Sequence, residues 1–84
     1  MKVDELVNAV ATKSDLVSFV EALAEELRND SSLWKNTSLE LFLEALAAWI
    51  QDSDGYYENH GMAVPESPSW KNVAEMLLAA TMYD

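Results

Sequence analysis

The side chains able to do chemistry crowd into one stretch, Trp49-Ile50-Gln51-Asp52-Ser53-Asp54-Gly55-Tyr56-Tyr57-Glu58-Asn59-His60-Gly61. Asp52, Asp54 and Glu58 could share protons for general acid–base work or hold a cation. A calcium loop of the EF-hand type needs oxygen ligands at its first and last positions and Gly at the sixth. Gly55 in the sixth place would put Ile50 and Gly61 at the two essential ligand positions, and a loop begun at Asp52 would end on Val64. Both registers fail, so no metal is assigned. His60 is the sole histidine and no Gly-x-Ser-x-Gly elbow presents a serine to it, which leaves a nucleophilic triad without its parts. Paired carboxylates would still need a walled cleft, and a chain of 84 residues has little core from which to build one. The expectation is a non-catalytic protein with no cofactor.

The elements that must position this stretch read as helices. Leu39, Phe42, Leu43, Leu46, Trp49 and Ile50 recur at the spacing of one helical face, and Thr37 with Glu40 has the form of a capping box at its start. Ser14 as a cap, then Leu16, Phe19, Val20, Leu23 and Leu27 on one stripe with Glu21, Glu25 and Arg28 opposite, predicts a second helix ending near Asn29 to Ser32. Val3 to Val10 suits a short first helix. Pro65 and Pro68 break the chain after Glu58 into a long, mobile loop. Ser67 then reads as the cap and Pro68 as the first turn of a last helix carrying Val73, Met76, Leu77, Ala80 and Tyr83 to the terminus. No stretch alternates as a strand should. The predicted fold is all-α, a small bundle of three main helices and one short N-terminal helix forming a single domain over residues 1–84.

Continuing the central helix through the distinctive stretch at about 100° per residue places Trp49 and Tyr56 side by side two turns apart. Tyr57 returns to the apolar stripe, and Glu40, Glu44, Gln51, Asp54 and Glu58 fall in an acidic band beside it. Trp49, Asp52, Asp54, Tyr56, Tyr57, Glu58 and Glu44 are therefore the candidate partner-binding residues. The plain alternative is that the rings are core residues with a wet edge and the acids a solvated face.

Composition bounds the partner. Five Lys and Arg against fifteen Asp and Glu give a formal charge of −10, which repels nucleic acid and anionic membranes and steers basic proteins inward. Half the residues are apolar, enough to oppose disorder, and there is no cysteine for disulfides or thiolate ligands. No apolar run reaches signal-peptide or membrane-span length, so the expectation is a soluble cytoplasmic protein. An exposed Trp could equally serve a homodimer.

The run Asp52-x-Asp54-Gly55-Tyr56-Tyr57-x-Asn59-x-Gly61, joined to Pro65-x-x-Pro68-Ser69-Trp70 and a closing helix with Ala79, Ala80 and Tyr83, resembles a family of small acidic bacterial proteins known only as a domain of unknown function. The resemblance spans about Ser14 to Asp84 and implies an immunity-protein-like role. A nuclease toxin carries a basic cleft for phosphate, and an inhibitor dense in carboxylates can occupy it in place of nucleic acid. The expected function is thus a protein-binding module that inhibits a basic toxin. The alternative is a non-catalytic structural or regulatory bundle whose acidity serves solubility.

Overall fold

The structure, a computed structural model, describes residues 3–83. Four helices follow in order: α1 (Val3–Leu6), continued by a 3₁₀ turn over Val7–Ala9; α2 (Lys13–Asn29); α3 (Leu39–Asn59); and α4 (Trp70–Ala80). Among the described residues there is no strand. The all-α bundle with three main helices and a short N-terminal one is therefore the fold, and no helix among the described residues is long and apolar enough to cross a membrane.

Each start lies one or two residues from its expected place, because the cap is chosen by reciprocal bonding. At α2, Thr12 and not Ser14 is the cap. The Asp15 amide donates to Thr12 Oγ1 at 3.1 Å, while Asp15 Oδ2 accepts from the Thr12 and Ala11 amides at 3.1 and 3.0 Å. Those amides hold the Asp15 carboxyl below its usual value of 3.8. At α3, Ser38 and not Thr37 accepts the Leu41 amide. At α4, Ser67 and Pro68 stay in the preceding loop; Ser69 is the cap, bonded reciprocally with Asn72.

The ends differ too. α3 runs unbroken through Asp52 to Asn59, so neither calcium-loop register could form there. It stops in a Schellman arrangement: Gly61 takes φ 67° and the Met62 amide reaches back to the Tyr57 carbonyl at 2.8 Å. α4 ends at Ala80, short of the predicted Tyr83, while Asp84 lies outside the described residues. Its carbonyl end is met from afar. The amides of Lys35 and Asn36 donate to the Thr81 carbonyl at 2.9 Å each, and buried Asn36 Nδ2 donates to the Ala80 and Tyr83 carbonyls at 2.9 and 2.8 Å.

The core is displaced from the expected helix. It joins Val3, Val7, Val10, Phe19, Leu23 and Ala74, from α1 and its continuation, α2 and α4. α3 packs on α4 and buries only Ala45 fully; Phe42, Leu46, Trp49 and Tyr57 are half-buried. Leu39, Leu43 and Ile50, expected inside, are 73, 52 and 47% exposed, and Val20 of α2 is 42% exposed. The correction has a geometric cause: α3 has one main neighbour, and the apolar arc of a helix packed on a single partner is wider than that partner covers.

Phe19, 1% exposed, should cost about 3–5 kcal/mol on truncation to Ala, whereas Leu39→Ala should change stability by less than about 0.5 kcal/mol in urea unfolding. Asn36→Ala strips donors from buried carbonyls and should cost about 1–3 kcal/mol by the same measurement.

Candidate functional site

α3 distributes the seven candidate residues over different faces. Trp49 and Tyr56 are joined edge to face with ring centroids 5.1 Å apart, as their seven-residue spacing requires. Tyr83, arriving after α4, adds a second edge contact to Trp49 at 5.6 Å, and the His60 ring lies 4.4 Å from that of Tyr56. His60 Nδ1 sits 2.8 Å from the Tyr56 carbonyl, which can only accept, so that nitrogen carries the proton. The result is an aromatic cluster in which Tyr56 remains exposed and Trp49 half-buried.

Two of the candidates are tied to other parts of the chain. The Tyr83 hydroxyl donates to Asp52 Oδ2, tying the end of the chain to the middle of α3. Asn72 Nδ2 donates to the Tyr57 hydroxyl at 3.3 Å and to Glu75 Oε1 at 3.1 Å, tying α3 to the first turn of α4. Both phenols keep their protons above the ordinary 10.0. Burial leads for Tyr57, followed by the Glu75 charge; for Tyr83 the Asp52 hydrogen bond leads.

Asp54, Glu58 and Glu44 are exposed. Asp54 edges a recess of about 80 Å³ beside Pro65 and Pro68, room for a few waters only. Asp52, Asp54 and Glu58 do not converge on His60, whose ring is bonded to its own helix. Among the described residues no group of three His, Cys, Asp or Glu side chains is placed to hold a metal ion.

Sequence reasoning missed a second feature. An apolar groove of about 450 Å³ opens between α2 and the start of α3, walled by Val20, Ala24, Leu27, Leu39 and Phe42, floored by Leu23 and Leu77, and closed at one end by Trp34. Trp34 is fixed there by stacking on Phe42, with centroids 6.0 Å apart. The signal was present in the excess of apolar positions on α2 and α3 over what one neighbouring helix can cover.

In comparisons with known proteins, a family of unknown function, DUF7660, matches residues 12–84. No curated protein and no solved structure matches the chain.

An alkaline absorbance titration checks these two ties. Raised phenol values favour the folded state below pH 10, an advantage lost as pH climbs through them. Tyr57→Phe and Tyr83→Phe should each delete a late-ionising phenol, and Asp52→Ala should bring the remaining Tyr83 signal to lower pH; an unchanged Asp52→Ala curve would contradict the pairing.

Proposed function

The chain belongs to this family of unknown function, and from that premise we propose that it is a protein-binding module. It meets a basic partner protein and performs no bond-making chemistry of its own. One observation carries the reading: α3 exposes Leu39, Leu43 and Ile50 in a row beside the carboxylates Glu40, Glu44, Asp54 and Glu58. Carboxylates on that flank steer a basic surface inward over a distance set by the Debye length, about 8 Å at physiological ionic strength. The uncovered apolar row then gives the encounter area to bury. The specific form we favour is a cytoplasmic immunity-type inhibitor of a basic nuclease toxin, with the acidic band standing where the nucleic acid backbone would lie.

A second reading, a structural or regulatory bundle, draws support from the Asp52–Tyr83 and Tyr57–Asn72 ties, which spend candidate residues on holding the chain together.

The test is association with the product of the neighbouring gene. Binding should slow as salt rises, and the combined variant Glu40→Gln, Glu44→Gln, Asp54→Asn, Glu58→Gln should bind at least about tenfold more weakly. Its folding should be kept or improved, since Glu40 with Glu44 and Asp54 with Glu58 are like charges one turn apart. No association, together with no protection of cells expressing that product, would defeat the toxin form. Binding that ignores both salt and the four substitutions would defeat the acidic-surface reading.

A further inference from the structure

α4 packs against both α2 and α3, while α2 and α3 touch each other far less. α1 and the turn after it lie against α2 and α4. Three main helices thus occupy three corners of a four-helix arrangement, and the groove is the fourth. Bundles of this kind bury each helix's apolar stripe against two neighbours; here α3 has only α4, and α2, covered by α4 and α1, still leaves Val20 exposed on its groove side. The floor is apolar, yet Leu39 on one wall is 73% exposed and Val20 on the other is 42% exposed.

We propose that this groove receives an amphipathic helix from the partner protein, with apolar anchors on one face and Lys or Arg on its flanks; the inference rests on the partner-binding reading above and names the element that binds. Shape selects a helix. Val20 to Leu27 rises about 10 Å at 1.5 Å per residue, so anchors spaced i, i+3 or i+4, and i+7 span the walls. Charge selects its flanks. On the helical wheel the positions next to the apolar wall of α2 are Glu21, Glu25 and Arg28, and the position next to Leu39 on α3 is Glu40, a rim of three carboxylates and one guanidinium that is acidic on balance. A second copy of the chain would bring another −10 charge to the same rim, which opposes self-pairing.

The experiment titrates the isotope-labelled full chain with a synthetic 14-residue peptide carrying Leu at that spacing and Lys elsewhere. Controls are a scrambled peptide of equal charge and one with Glu in place of Lys. Amide and methyl shifts should concentrate at Val20, Leu27, Leu39 and Leu77, and the two control peptides should bind at least about tenfold more weakly. Leu39→Glu, at an exposed position that tolerates charge, should abolish the shifts with an unaltered unfolding curve, while Glu66→Gln, in the loop before α4, should leave them in place. Shifts confined to the Asp54–Glu58 end, equal binding of the scrambled peptide, or sedimentation showing a dimer that shields the groove would each overturn the proposal. Peptide binding in the groove alongside failure to bind the neighbouring gene product would overturn only the functional reading.

Discussion

The carbonyl end of α4 must find donors, and how it finds them governs the arrangement around it. A helix leaves its last carbonyls without intrahelical partners, and burying them unmet costs about 1–3 kcal/mol each. Here the donors come from the link between α2 and α3: two backbone amides and the Asn36 side chain, forty-four residues away in sequence from Ala80. That tie fixes where the link runs, hence where Trp34 stacks on Phe42 and where Ser38 begins α3. It also bends the chain out of α4 so that Tyr83 meets Trp49 and Asp52. Ala74 and Ala80, both with no exposed surface, let the neighbours of α4 approach closely enough for these bonds to form.

With α4 in the middle, the apolar surface divides unequally. α2 and the α1 segment close around Phe19, whereas α3 has only α4 beneath it and keeps a row of leucine and isoleucine in water. An 84-residue chain cannot afford idle exposed apolar area and a −10 self-repulsion without cost to stability. Those two features lie on adjoining sides of one helix, and that adjacency is what the partner-binding proposal rests on. The bonds of Asp52 and Tyr57 belong to a different task, tying α3 to the chain after α4 and to the first turn of α4.

The helices were legible because their periodicity is strong, and the proline-rich break was legible because Pro65 and Pro68 remove donors. Caps were misplaced by one or two residues because neighbouring Ser and Thr are equivalent on paper, and only reciprocal bonds such as Thr12 with Asp15 or Ser69 with Asn72 separate them. Of the candidate site, the Trp49–Tyr56 pairing and the exposure of Asp54 and Glu58 followed from helical spacing on α3. The partners of Asp52 and Tyr57 did not, since Tyr83 and Asn72 reach them from another helix end.

Charge, helix content and the order of the elements are properties of local composition and spacing, so the amino-acid sequence determined them alone. Which apolar residues are inside was decided only by the tertiary structure. Leu39 and Phe42 read alike as apolar positions on one stripe, but burial depends on how many helices crowd around each, a quantity set by long-range bonds such as those of Asn36. The groove between α2 and α3 follows for the same reason: it is the space left when two helices satisfy a third and not each other.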